Sequence, residues 1–469
     1  MRELVRKSPR FFLLALLGAI ALRLWFIFCF PAITADSFVY GDIARNWLRH
    51  GIYGLTGRNE ISPTYIRLPG YPAFLALVFA IFGLEHYRAA LLLQVFVDIA
   101  TCFLIADIAR RLISPRAARV AFFLAAFCPF LANYAAAALT ETWEIFFTTL
   151  ALDLAVIGLD DSQLSPWLGC GLATGAAILL RPDGVLLLIA IELYWLGFLV
   201  RLFVARLEQC AALPSFSSVI RKGLIVGLGS VAVLLPWTLR NVRTFHQFQP
   251  LAPRYANEEN AFVPLGFERW VRTWIVDYAS TEEIYWSVPG SQIDADQLPS
   301  RAFDNQEQRD RTEQLLDDYN HSLRVTPDLD KRFAELAAER IHPAPLRYYL
   351  RLPLLRIADM WLRPRTEILP CNTRWWEFDE ETQWLVLSMI VGVLNLLYIV
   401  AALLGLVRAR AAPHIGLLLT FIVVRSVFLG TLENPEPRYT LECYPVVMVL
   451  AAVAIEGWLT RSRSSTAAT

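Results

Sequence analysis

The sequence predicts an all-α protein: a polytopic transmembrane helix bundle of about ten spans, with juxtamembrane helices in the first external loop and one external polar segment. Three observations carry this reading. Of 469 residues, 56% are hydrophobic and only 18% are charged. The apolar residues come in blocks of about 20, the length that crosses ~30 Å of hydrocarbon. Arginine clusters recur at alternate ends of these blocks, as cytoplasmic loops require. The 43 basic and 43 acidic residues cancel, which leaves no nucleic-acid footprint. The seven cysteines contain no Cys-x-x-Cys pair, so neither a disulfide framework nor a zinc site follows.

In order, residues 11–30 form a first span without an A-x-A cleavage site. Arg2, Arg6, Lys7 and Arg10 before it set the N-terminal side as cytoplasmic and Asp36 as external. Residues 71–84 are short for a span and read as an interfacial or re-entrant helix. That choice lets 87–112 run inward to Arg110, Arg111, Arg116 and Arg119. Spans then follow at 118–138, 143–159, 166–181, 184–204 and 223–239. The polar segment 241–345 holds 18 acidic against 11 basic residues, an excess suited to the external side. Residues 346–364 carry Arg347, Arg351, Arg356 and Arg363 at helical spacing. Each would cost about 2.5–3.5 kcal/mol at mid-bilayer, so this helix is placed on the surface with its arginines snorkelling. The last spans are 383–407, 413–430 and 441–459. Three regions result: a transmembrane module 1–240 with its first external loop at 31–86, a polar segment 241–382, and C-terminal helices 383–469.

The first external loop holds the most chemistry. An amphipathic helix fits 36–48, with Gly51 and Gly54 stopping it. Asp36 sits at its start, as a base or as the helix N-cap. Arg67 precedes Leu68-Pro69-Gly70, where it would meet a phosphate or lipid headgroups. Glu141 opens a span, as an acceptor-facing carboxylate or a charge on the helix N-terminus. Arg181-Pro182-Asp183-Gly184 is a polar turn between two spans, and Arg240 and Arg438 lie at span ends. The topology gathers these clusters on one external face. Asp98, Asp153 and Glu192 lie inside apolar runs, where carboxylates are functional by default. They support a rival reading as an ion-coupled transporter or lipid flippase, unless they pair with Arg23 or with backbone groups of neighbouring spans. Trp270, Trp274 and Trp286 suit either sugar stacking or packing.

The pattern resembles the GT-C-type integral-membrane glycosyltransferases, in the branch of protein O-mannosyltransferases, aminoarabinose transferases and Rgt-type galacturonosyltransferases. The matching residues are Asp36–Tyr40, Arg67–Pro72, Leu139-Thr140-Glu141, Arg181–Gly184, Pro236–Asn241 and Glu436–Tyr439. Asp36-Ser37 stands where the O-mannosyltransferases have Asp-Glu. The resemblance implies a membrane enzyme that moves a sugar, with inversion, from a polyprenyl-phosphate donor to a lipid, glycan or protein acceptor. The expected site is on the external face of a bacterial inner membrane. It implies Asp36 and Glu141 as catalytic residues, and Arg67, Tyr40, Arg181, Arg240, Arg438 and Tyr439 as substrate-binding. No metal and no cofactor are implied; the lipid-linked sugar is a co-substrate.

Overall fold

The computed structural model describes residues 1–466 except 59, 162, 208–215, 259–260 and 379. The chain is a multi-pass membrane protein. Seven described helices are long and apolar enough to cross a bilayer, or eight if one bent pair counts as a single span. Seven of the ten expected spans lie on those helices and 118–138 lies on the bent pair. Residues 166–181 and 413–430 lie on shorter apolar helices, Ser165–Leu180 and Ile415–Gly430. The chain divides into two compact units, Met1–Glu258 with Leu396–Val424 and Leu441–Thr469, and Glu259–Asn395 with Arg425–Thr440.

In the first unit a short N-terminal helical turn, Arg2–Lys7, leads into helix α1 (Pro9–Cys29). Then come α2 (Ala35–His50) and the short apolar helix α3 (Gly70–Phe82), joined through a hairpin of β1 (Gly54–Thr56) and β2 (Ile61–Pro63). Helix α2 is capped by Thr34, which forms a capping box with Ser37, and ends at Gly51 in the left-handed region. Asp36 is therefore not the cap. Gly54 does not stop the helix either. It sits in β1, where a Cβ would come within 2.4 Å of the Ser62 carbonyl oxygen.

Next come α4 (Tyr87–Leu112), α5 (Pro115–Ala126) and α6 (Pro129–Ala135). The sequence reads 118–138 as one span, but α5 and α6 meet at 51°. Pro129 lacks the N–H that would continue the ladder onto the Ala125 carbonyl. Arg23 of α1 donates to that carbonyl at 3.1 Å, to Ala126 O, and to Asp98 Oδ2 at 2.6 Å. Asp98 is thus neutralised by Arg23 inside the bundle. At the end of α6 the chain leaves helical geometry over the buried Ala136–Ala138. Carbonyls there are satisfied by Gln94 Nε2, at 3.2 Å from Ala135 O and 2.8 Å from Ala137 O. Gln94→Leu is expected to orphan both, costing about 1–3 kcal/mol for each, read as a lower thermal midpoint in detergent.

Helices α7 (Glu141–Asp160), α8 (Ser165–Leu180), α9 (Val185–Leu207) and α10 (Phe216–Phe245) follow. Gly171 and Gly175 bring α8 against the α10 backbone, where a Cβ would lie 2.5 Å from Val226 O and 2.8 Å from Ser230 O. Asp153 lies 3.9 Å from Arg111. Glu192 is half-buried on α9, with one oxygen lacking a hydrogen-bond partner among the described residues.

The second unit has its own core. Helices α11 (Leu265–Val271), α12 (Gln306–Ser322) and α13 (Pro327–Ile341) surround Trp270, Trp274, Tyr319 and Phe333. Trp270 and Trp274 are fully buried, so packing and not sugar stacking is their role. Trp286 is 43% exposed, edge-on to Tyr278. Helix α14 (Leu352–Leu362) corrects the reading of 346–364. Arg356 turns inward and donates to Ile275 O at 2.8 Å, and Arg363 lies against Tyr278 and Trp376. Arg347 pairs with Asp304 at 2.7 and 2.9 Å. Main-chain carbonyls, rings and a carboxylate of the protein itself thus engage these three. Helix α15 (Thr382–Ala409) and α16 (Ile415–Gly430) each contribute to both units, and α17 (Tyr444–Thr466) closes the first.

Candidate active site

Two chain crossings build the site in the first unit. Ala32, just before α2, pairs in parallel with Ala137, just before α7. The Ala32 N–H donates to Ala136 O and the Ala138 N–H to Ala32 O, both at 2.9 Å. This fixes the entry to the Asp36 helix beside the entry to the Glu141 helix. At the second crossing, the start of α3 lies against the end of α8. A Cβ on Gly70 would come within 2.7 Å of Leu179 O, so only glycine lets the Arg67–Gly70 turn sit beside Arg181. Gly70→Ala is expected to push these ends apart, at an overpacking cost of about 1–3 kcal/mol. A fall in thermal midpoint together with lost activity would check it.

Two ion-pair groups result. Arg67 Nη2 donates to Asp36 Oδ1 at 3.0 Å, with both side chains part-exposed. Arg181 faces Glu141 at 3.3 Å, Glu144 at 3.5 Å and Asp183 at 3.2 Å. Tyr40 lies under the charge of both groups, its ring 6.0 Å from the Arg67 guanidinium carbon and 5.3 Å from the Tyr71 ring. Burial, with the charge of Asp36 next, pushes the Tyr40 hydroxyl up to about 12, against the opposing pull of Arg67 and Arg181. It is a neutral donor at any physiological pH. Tyr71 in turn donates to Gln94 Oε1 at 2.9 Å.

Asp36, Tyr40, Arg67, Glu141 and Arg181 therefore gather as the sequence suggests. Arg240 shares their unit but is engaged elsewhere, with the main-chain carbonyls of Thr64 at 2.8 Å and Tyr53 at 2.7 Å. Arg438 and Tyr439 belong to the second unit. There Arg438 pairs with Glu436 at 2.5 Å, and the Tyr439 hydroxyl donates to the same carboxylate. Glu144 is the residue that sequence reasoning passed over. It is fully buried, one turn after Glu141, and the three-residue spacing placing both on one helix face was the available signal. Glu144→Gln removes a buried charge facing Arg181 at 3.5 Å and is expected to lower kcat/KM about 10–100-fold, which corresponds to about 1.4–2.7 kcal/mol. Kinetics beside an unfolding curve would separate this from lost stability.

Comparison with known proteins agrees with this architecture. Residues 64–220 match the family model for dolichyl-phosphate-mannose-protein mannosyltransferase, a segment that contains Arg67, Glu141 and Arg181. No curated protein matches the sequence significantly. Among solved structures, the chain is similar to the oligosaccharyltransferase AglB from Archaeoglobus fulgidus in complex with an inhibitory peptide and a dolichol-phosphate. That match has a TM-score of 0.55 at 14% identity, over 99% of this chain and 52% of that one. The same organism's enzyme tethered to an acceptor peptide containing the NVT sequon matches at TM-score 0.52 and 12% identity, over 96% and 49%. ArnT from Cupriavidus metallidurans bound to undecaprenyl phosphate gives a TM-score of 0.40 at 12% identity, over 96% and 78%, too loose a likeness to weigh. The chain spans about half the length of the archaeal structures it matches. Residues 64–220 are therefore similar to the dolichyl-phosphate-mannose-protein mannosyltransferase family, and the chain as a whole shares its fold with the archaeal oligosaccharyltransferase structures.

Proposed function

We propose that the protein transfers a sugar from a polyprenyl-phosphate donor to a hydroxyl of a lipid, glycan or protein acceptor. The observation that carries this is the gathering of the Asp36–Arg67 pair and the Glu141–Arg181 group by two chain crossings, with Tyr40 under the charge of both. The acceptor oxygen attacks the anomeric carbon and its proton passes to Asp36. The bond from that carbon to the phosphate oxygen breaks on the opposite face, which inverts the configuration. The phosphate leaves with the electron pair, and Arg67 stabilises its growing charge. Tyr40 donates to a donor or acceptor oxygen, and Glu141, held by Arg181, orients the acceptor. No metal is needed for these steps.

Charge distribution supports an external site in a bacterial-type inner membrane. Arg119 donates to Ser8 at 3.1 Å, which places the 110–119 basic cluster beside the N-terminal end of α1. Asp36 follows the other end of that helix.

Reconstitution in liposomes with radiolabelled polyprenyl-phosphate sugar tests the proposal. Label appearing on an acceptor supports it. Lipid crossing the bilayer with no transfer to any acceptor would replace it with a flippase.

A further inference from the structure

We infer that Arg240 is a positioning residue that acts on the reaction through Arg67, and that it does not bind substrate. The inference rests on the function proposed above. Arg67 leaves a hairpin whose two strands are only three residues each, paired Gly54 with Pro63, Leu55 with Ser62 and Thr56 with Ile61. A two-stranded ribbon of that size is marginal by itself, so something outside it must hold it.

Arg240 sits at its open end. Tyr53 and Thr64 flank the strands, and the Thr64 N–H donates to Tyr53 O at 3.1 Å. One arm of the guanidinium reaches Thr64 O at 2.8 Å and the other Tyr53 O at 2.7 Å. The fork thus closes the hairpin exit with two bonds that a single ammonium does not reproduce. Its plane is boxed by the rings of Tyr53, Trp237 and Phe245, at 5.2, 5.2 and 5.0 Å. Nη1 also donates to Asn241 Oδ1 at 2.9 Å. Glu258 accepts from the Thr64 hydroxyl, a second tie on the same residue.

The chain then carries this order to Arg67. The hydroxyl of Tyr53, whose carbonyl Arg240 holds, donates to Arg67 O at 2.9 Å. The backbone of Arg67 is therefore fixed by the residue that Arg240 fixes. The guanidinium of Arg67 is left to project onto Asp36.

The test uses the full chain in nanodiscs, as Arg240→Gln and Arg240→Lys, with Arg67→Gln alone and combined with Arg240→Gln. Amide exchange over 53–67 is expected to quicken at least ~10-fold in Arg240→Gln and less in Arg240→Lys. Exchange in α4 and α7 should stay unchanged, and Arg67→Gln should leave the hairpin protected. Transfer should fall ~10–100-fold in Arg240→Gln, yet by less than ~3-fold when added to Arg67→Gln. Unchanged exchange over 53–67, or faster exchange throughout both Arg240 variants, would overturn the inference. So would an equal loss of transfer in the two backgrounds, which marks a direct substrate contact. If the wild type transfers no sugar, the proposed function fails while the exchange pattern still decides whether Arg240 holds the hairpin.

Discussion

Asp36→Asn is expected to lower sugar transfer about 100- to 10,000-fold, the range a positioned general base contributes, while leaving the fold intact. The two halves of that expectation have separate physical sources. Asparagine has nearly the shape of aspartate but does not take up the acceptor proton. Helix α2 does not depend on Asp36 for its start, because Thr34 and Ser37 cap it and Gly51 ends it. What the fold loses is a first-turn charge, about 0.3–1 kcal/mol, and a part-exposed ion pair with Arg67 that contributes about 0–1 kcal/mol. The sum is far below the roughly 3–5 kcal/mol that a 100- to 10,000-fold rate loss represents. Transfer kinetics beside a thermal unfolding curve check this directly. Full transfer by the folded variant would remove Asp36 from the base role.

Arg23→Leu is expected to act the opposite way, costing about 3–5 kcal/mol of stability through a buried charge left without its partner. Arg23 is fully buried and Asp98 nearly so, and their 2.6 Å contact lies among apolar helices. The guanidinium also satisfies the Ala125 and Ala126 carbonyls where Pro129 breaks the α5–α6 ladder. Leucine leaves Asp98 without its cation and removes the Arg23 bonds to both carbonyls, of which Ala125 O keeps the Cys128 N–H at 3.3 Å. Arg23→Leu combined with Asp98→Leu should recover much of the loss, since removing both charges avoids the unpaired one. Thermal midpoints of the single and double variants in detergent decide it. If the double variant is no better than Arg23→Leu, the pair is not what holds α1 to α4. The pairing also weakens the transporter reading, because Asp98 is already occupied by a fixed cation.

Hydropathy made the long helices legible, because lipid demands long apolar blocks. The Asp36–Arg67 pair was legible because both sit in one loop between the same two apolar segments. Other features depended on contacts between distant residues. Thr34 was the better cap, but one residue of Asx or hydroxyl preference looks much like another until Ser37 closes the box. The break at Pro129 is written in the sequence, yet the 118–138 run is apolar enough to pass as one span. The inward turn of Arg356 and Arg363 is invisible to helical spacing, which records a face but not what that face meets. Glu144 was hidden by its neighbour Glu141, and Arg240 by a span-end position that suits substrate and structure equally.

The most direct test of a single site around Tyr40 is photo-crosslinking with polyprenyl phosphate bearing a photoreactive group beside the phosphate, mapped by peptide mass spectrometry. Labels on both the 36–67 and the 140–183 segments, suppressed together by Arg67→Gln, are the expected result. Labels confined to one of these segments, or falling on neither, would contradict it.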